Sequence, residues 1–372
     1  MMPDTSLHGL ISPDVDPLPR YNAGMSPARF REVYGMDVRA KLDSNENPLG
    51  PSPGAVQAIR DMALQAGRYP DAGTASLCRA IGAHSGVSAD RVITGNGSED
   101  LIDAIYHAVL RPGDRVLTIC PSFGLHELNA RACGAVVTKV RFPEDWSYPV
   151  DGLIAEMSQP LRVLIFSTPS NPAGPALQES ELRRLLAAVP QGTLVVYDEA
   201  YTEYLPPELR FDVAGILDES GLDWIILRTF SKAWGLAGAR VGFGIASHVD
   251  LIGAIMKVRT PFAVNAFAAA AAEAALQDPA HMQQGVDLSI TQRDRIRAGL
   301  AALGHKVAPS AGNFVFFDTG EEARDFAEGL RHHGVLIKPW LEEPYTGWAR
   351  VSTGTAAETD VFLDAVAAVA RK

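Results

Sequence analysis

The feature that most constrains this chain is an alternation that begins near residue 90. Short apolar runs at 91–94, 115–119, 163–166, 194–197, 224–227 and 240–245 are separated by segments of helical length. Runs this short and this apolar are buried on both faces, and the spacing leaves room for crossover helices. They predict parallel strands of an α/β sheet. One intervening helix can be read directly: Leu101, Ile102, Ile105, Ala108 and Val109 share a face, and Pro112-Gly113 ends it. Past residue 258 the texture changes. A long helical region, about 265–303, leads to a strand at Phe314–Asp318, a helix at 321–332, strands at 335–337 and 349–352, and a closing helix. That mixture predicts a smaller α+β lobe. The first forty residues hold scattered Pro and Gly with one short helical piece, Pro27–Tyr34, and read as an arm laid over something else. With 372 residues the chain exceeds one ordinary core. The expected division is an arm with part of the small domain (1–44), a large domain (45–258) and a small domain (259–372).

A net charge of −11 leaves no basic surface to neutralise a phosphate backbone, which argues against nucleic acid as a partner. The first eighteen residues lack the basic-then-apolar order of a secretory signal. No uncharged apolar stretch nears the roughly 20 residues that cross a bilayer; the Ala-rich run 263–276 contains Glu273. Three cysteines, Cys78, Cys120 and Cys133, are an odd number without metal spacing, so no metal is expected and a reducing cytoplasm is.

Open α/β sheets bind ligands beyond the carboxyl ends of their strands, and special residues collect there. After the first run comes Gly95-Asn96-Gly97-Ser98-Glu99-Asp100, opening the helix just described. Glycines let the backbone approach an anion, and the first N–H groups of a helix point at it. The motif lacks the further glycine of a dinucleotide fingerprint and the Gly-Lys-Ser/Thr of a P-loop; alone, it reads equally as a capped turn. Phe123, in Pro121-Ser122-Phe123-Gly124, places a ring at the sheet's edge and by itself reads as core. Asn171, in Ser170-Asn171-Pro172-Ala173-Gly174, is either the Asx residue of a turn or a polar contact. Asp198-Glu199-Ala200-Tyr201 follows a buried strand directly, where a carboxylate is costly unless paired; a helix N-cap is the other reading of Asp198. The most telling segment is Thr229-Phe230-Ser231-Lys232-Ala233-Trp234-Gly235-Leu236-Ala237-Gly238-Ala239-Arg240. Lysines are scarce, seven against twenty-six arginines, yet one sits here between a buried strand and a Gly-rich stretch. An amine in a partly desolvated pocket has a lowered pKa and can form a Schiff base. One ligand would use all of these groups. Its phosphate would take the Gly95–Ser98 turn, Ser231 and Arg240, its ring Phe123, and its protonated ring nitrogen Asp198. Its aldehyde would take Lys232, and its ring hydroxyl Asn171 and Tyr201. Those are the roles that pyridoxal 5'-phosphate (PLP) requires.

With these motifs the chain resembles the fold-type I PLP-dependent aminotransferases, and within them the histidinol-phosphate aminotransferase group. Leu42-Asp43-Ser44-Asn45-Glu46-Asn47-Pro48-Leu49-Gly50-Pro51-Ser52-Pro53 is similar to that group's N-terminal signature, and Arg68-Tyr69-Pro70-Asp71 to a segment that reaches the neighbouring subunit's cofactor. Asn171-Pro172-x-Gly174, Asp198-Glu199-Ala200-Tyr201 and Ser231-Lys232-x-x-x-Leu236-x-Gly238-x-Arg240 match in order and spacing. The resemblance implies a mostly parallel central sheet with flanking helices plus a smaller α+β domain. It implies that Lys232 holds the cofactor and shuttles a proton, that Asp198 pairs with the pyridinium, and that Tyr201 and Asn171 contact the ring oxygen. Gly97, Ser98, Glu99 (through its backbone N–H), Ser231 and Arg240 would hold the cofactor phosphate. Tyr69 would join them from the other subunit of a homodimer with shared sites. Phe123 would stack on the ring, Arg350 would bind the substrate's carboxylate or phosphate, and Asn47 and Lys338 would lie at the substrate. Lys338 stands where the group usually carries arginine; it keeps the charge and loses the planar fork. The implied activity is amino transfer between L-glutamate/2-oxoglutarate and histidinol phosphate or a related imidazole or aromatic amino compound. An aromatic amino acid aminotransferase, or a PLP lyase or decarboxylase similar to threonine-phosphate decarboxylase, is the alternative on the same scaffold.

Overall fold

All six apolar runs form strands of one sheet in the computed structural model, which describes residues 9–369. In chain order the strands are β1 (Ala40–Lys41), β2 (Val92–Gly95), β3 (Arg115–Cys120), β4 (Val136–Arg141), β5 (Val163–Ser167) and β6 (Leu194–Asp198). They continue with β7 (Asp223–Thr229), β8 (Gly242–Ala246), β9 (Phe314–Asp318), β10 (Val335–Leu336), β11 (Lys338–Pro339) and β12 (Trp348–Ser352). The large sheet has seven strands in the order β2-β8-β7-β6-β5-β3-β4. Strands β2 to β7 run in one direction, and β8 is antiparallel to both its neighbours. The expectation that 240–245 would be parallel is therefore corrected. A parallel return needs a crossover of a dozen or more residues, usually helical. The β7–β8 link has only the short 3-10 turn Ala237–Ala239, so the chain reverses. That link carries Lys232 and Arg240. Edge strand β4 escapes the apolar-run reading because Thr138, Lys139 and Arg141 interrupt it and its residues are exposed or half-buried, as suits an edge.

The sheet is covered on both faces. Leu117, Leu164, Val195 and Trp224 lie in one core. Val116, Ile165, Val196 and Ile225 join Leu101, Ile102 and Ile105 of helix Ser98–Val109 in the other. Each such side chain, fully buried, stabilises by roughly 1.5–3 kcal/mol.

The smaller lobe has an antiparallel sheet, β11-β12-β9, and a parallel pair, β1-β10. The single strand expected at 335–337 divides at Ile337, with β10 pairing to β1 and β11 to β12. The helical region expected at 265–303 breaks between helices Ala266–Leu276 and Pro279–Ala302. Pro279 has no N–H to continue a helix but suits a first turn, and the Asp278 carboxylate caps that turn by accepting from His281 N (3.1 Å). The break has a packing reason. Ala268, Ala271, Ala272 and Ala275 sit in the large core, whereas Ile296 and Leu300 sit in the small one with Val315, Phe317, Phe326 and Phe362. The arm does lie over something: Ser26 caps helix Pro27–Tyr34, Phe30 is fully buried, and Tyr34 Oη donates to Glu328 (2.9 Å). No helix among the described residues is long and apolar enough to cross a membrane.

Candidate active site

Strand β6 ends in Asp198, which is 4% exposed and so needs partners. Its Oδ2 lies 3.1 Å from His126 Nε2, and Oδ1 accepts from Ala200 N (3.2 Å). An ionised carboxylate only accepts, so Nε2 donates to it, while Nδ1 lies 3.1 Å from Ser122 Oγ. Asp198 is thus paired and is no helix cap; the helical turn that follows begins at Thr202. His126 is fully buried and went unnoticed in the sequence. Its signal was the four-residue step from Ser122 across the start of helix Gly124–Ala132. Glu199 is equally buried and takes Arg228 of β7 at 2.5 Å, so neither carboxylate of the pair is orphaned.

Lys232 Nζ donates to Ser44 O (3.0 Å) and lies 5.9 Å from the centre of the Tyr201 ring. Burial, with Arg350 adding to it, brings its pKa down to about 7, so much of the amine is neutral and nucleophilic at neutral pH. Its loop is braced by Asn47, whose Nδ2 donates to Ala233 O and whose Oδ1 accepts from Leu49 N (both 2.8 Å). Gly235 has φ +70° and a Cβ there would sit 2.2 Å from Gly50 O, so no side chain fits.

On one side of Lys232, Gly97, Ser98, Glu99, Ser231 and Arg240 come together. Arg240, in the left-handed region at φ 60°, sends Nη1 to Ser231 Oγ (3.3 Å) and Ala237 O (2.9 Å), and Nη2 to Glu99 Oε1 (2.6 Å). A Cβ on Gly97 would meet Arg240 Nη2 at 2.4 Å, and one on Gly242 would meet Ser98 N at 2.5 Å. The result is a cationic cradle lined by backbone at the start of a helix, able to take a phosphate.

On the other side stand Arg350 and Lys338, cross-strand partners on β12 and β11. Arg350 is 7% exposed; Nη1 donates to Asn171 Oδ1 and Nη2 to Asp43 O (both 2.7 Å), while Nε has no partner. Lys338 Nζ donates to Asn22 O and lies 5.6 Å from the centre of the Tyr21 ring. Burial and Arg350 bring its pKa down to about 8. The half-buried Phe123 ring meets Tyr21 and His126 edge-on, at 6.1 and 5.6 Å. Tyr201 is buried, its pKa pushed up to about 12 by burial, and its hydroxyl accepts from Asn45 Nδ2 (2.9 Å). Tyr21 was not named in the sequence, and Asp43 and Asn45 stood there only within the N-terminal signature, without roles, because only long-range packing brings them here. Tyr69 is not brought into this cleft; it is 84% exposed and stacks on Phe262.

These residues fit PLP. A phosphate cradle, a near-neutral amine, a buried carboxylate for a ring nitrogen, and Tyr201 and Asn171 for a ring oxygen surround one cleft. No cluster of His, Cys, Asp or Glu suited to a metal occurs among the described residues. The family model for aminotransferase class I and II matches residues 39–366. Histidinol-phosphate aminotransferase 3 of Rhizobium meliloti is 43% identical over 93% of this chain and 94% of its own length. An aromatic amino acid aminotransferase of Rhodococcus jostii is 38% identical over 87% and 88%. The crystal structure of histidinol-phosphate aminotransferase from Sinorhizobium meliloti in complex with pyridoxal-5'-phosphate superposes with a TM-score of 0.89 at 29% identity, covering 98% of this chain and 99% of that one. The chain belongs to the aminotransferase class I and II family and is a PLP-dependent aminotransferase.

Proposed function

We propose that this aminotransferase exchanges an amino group between L-glutamate/2-oxoglutarate and histidinol phosphate or a related imidazole or aromatic amino compound. The observation that carries the reading is the Arg350–Lys338 pair, two cations on adjacent strands of one lobe. A carboxylate is satisfied by one arginine through a bidentate pair, whereas a dianionic phosphate draws on a second cation. The Rhizobium meliloti relative is named for histidinol phosphate and supports that choice. Tyr21 beside Phe123, and the Rhodococcus jostii relative named for aromatic amino acids, support the aromatic alternative.

In this reading Lys232 attaches the cofactor and moves the proton at the substrate's Cα. Asp198, backed by His126 and Ser122, keeps the ring nitrogen protonated. Tyr201 and Asn171 contact the ring oxygen, and Phe123 stacks on the ring. Gly97, Ser98, Glu99, Ser231 and Arg240 hold the phosphate. Glu99 does so through its N–H, with its carboxylate orienting Arg240. Arg350 receives the substrate's anion and Lys338 assists. Asn47 stands at the substrate's edge of the cleft through the Lys232 loop that it braces. PLP supplies the electron sink that lets Cα lose its proton.

The enzyme is a cytoplasmic homodimer with shared sites in this reading. Tyr69 reaches the partner's phosphate end. Its exposed stack on Phe262, with Leu64 97% exposed nearby in the chain, is apolar surface suited to an interface. Three free cysteines accord with a reducing compartment. Half-reactions followed by absorbance test the activity. Histidinol phosphate and glutamate should each convert bound PLP to the pyridoxamine form, and 2-oxoglutarate should return it. Good turnover of an aromatic amino acid beside none of histidinol phosphate would move the assignment to the aromatic alternative. Mixing inactive Tyr69 and Lys232 variants should restore some activity; a fully active monomer would contradict the shared site.

A further inference from the structure

We infer that Asn45 is a positioning residue that aims the Tyr201 hydroxyl proton at the cofactor's ring oxygen, and that it does so from the small lobe through Ser352. The inference rests on the reading that Lys232 carries PLP beside Tyr201. Asn45 follows β1, is 1% exposed, and adopts φ 52°, a left-handed conformation that asparagine tolerates better than most residues. It makes four hydrogen bonds. Its N–H donates to Ser352 Oγ (2.7 Å), Ser352 Oγ donates to Asn45 Oδ1 (2.8 Å), Asn45 Nδ2 donates to Tyr201 Oη (2.9 Å), and Asn313 Nδ2 donates to Asn45 O (3.0 Å).

The directions of these bonds are mutually consistent. A backbone N–H can only donate, so Ser352 Oγ accepts from Asn45 N, and its own proton goes to Asn45 Oδ1. With Oδ1 on Ser352, Nδ2 faces Tyr201 and the phenol oxygen accepts. A phenol has one proton. That proton cannot be given to a donor, so it points away from Asn45, and the Tyr201 hydroxyl makes no other hydrogen bond among the described residues. Ser352 lies two residues from Arg350 on β12, hence on the same face of the strand. The strand that carries the substrate's arginine therefore also aims the phenol.

The experiment is an absorbance titration against pH of the cofactor bound to Lys232 in the holoenzyme. Losing a donor to the ring oxygen destabilises the deprotonated form of the linkage, whose charge rests on that oxygen, and moves the midpoint up. Asn45→Asp keeps the shape and puts an acceptor where Nδ2 stood, so the phenol donates to it instead. The midpoint should rise on the order of one pH unit. In a Tyr201→Phe background the same substitution should add only the smaller shift due to its charge. Ser352→Ala changes no charge; it should raise the midpoint when Tyr201 is present and leave it unmoved in Tyr201→Phe. Arg350, Arg240, Asp198, Glu46, Glu99 and Tyr21 also face the phenol or the amine, and they are constant across these variants. A merely structural role would change melting temperature without this dependence on Tyr201. Equal shifts with and without Tyr201, or no shift in either variant, overturn the inference. If Asn45→Asp does not fold, Ser352→Ala carries the decision. A wild type with no titrating band overturns the cofactor reading and the inference with it.

Discussion

The two cationic ends of the cleft are built by opposite means. At the phosphate end, Arg240 is held largely within its own link, by Ser231 nine residues away and by Ala237 O, with Glu99 its one distant partner and glycine where a side chain would collide. At the substrate end, Arg350 is held by Asp43 and Asn171, which lie 307 and 179 positions away. The first is a geometry that two short segments impose on themselves. The second exists only when two lobes and an arm have packed. A group whose place depends on local backbone resists adjustment, whereas one placed by distant partners can shift with its lobe. In the proposed reading the phosphate end thus serves the constant cofactor and the Arg350 end the variable substrate.

Substitutions at four positions sharpen or break that contrast. The largest effect belongs to Lys232→Ala, between the two ends. It should abolish turnover and the borohydride-reducible link to cofactor while circular dichroism stays that of the wild type. Mass spectrometry placing the reduced cofactor of the wild type on another lysine would defeat it. Next, Arg350→Ala should lower kcat/KM for every substrate by about 3 kcal/mol, the value of a strong charged hydrogen bond. An effect confined to one substrate would show that the arginine is not shared. Gly242→Ala attacks the other end through its backbone, without replacing any side chain assigned to the cradle. The new methyl would press on Ser98 N and Gly97 C, costing about 1–3 kcal/mol of stability and weakening cofactor binding. Unchanged melting and PLP affinity would mean that the cradle is not limited by backbone contact.

The most selective effect is at Lys338. Replacing it with alanine should harm histidinol phosphate more than glutamate, by roughly 1.5–3 kcal/mol, since its second cation matters chiefly for a dianion. Its pH dependence has a definite sign. The lowered pKa leaves the amine protonated below about 8 and neutral above it. The ratio of kcat/KM for histidinol phosphate to that for glutamate should thus fall as pH rises through about 8. In Lys338→Arg, which keeps its charge, the ratio should stay level. A level ratio in the wild type would remove the role assigned to Lys338.

Much of the large lobe could be read from the chain alone because its information is local. Apolar runs make buried strands wherever they lie, and Ser231-Lys232 to Arg240 names a lysine and an arginine nine residues or fewer apart. The failures share a cause as well. The direction of β8 depends on what the link before it lacks, and β4 is an edge strand whose pairing to β3, not its hydrophobicity, makes it a strand. His126 looks like any helical histidine until β6 brings Asp198 to its ring.

The sequence by itself determined the α/β class and pointed to the lysine, to the aspartate after its strand, and to the Gly95–Gly97 turn. Each follows from short-range pattern or from chemistry that few residue types can perform. Only the tertiary structure decided which way β8 runs, that Arg350 and Lys338 face one cleft, and that Asn45 reaches Tyr201. The first depends on the short link between β7 and β8; the other two depend on the relative placement of segments far apart in the chain, which is set by the packing of two cores and carries no periodicity.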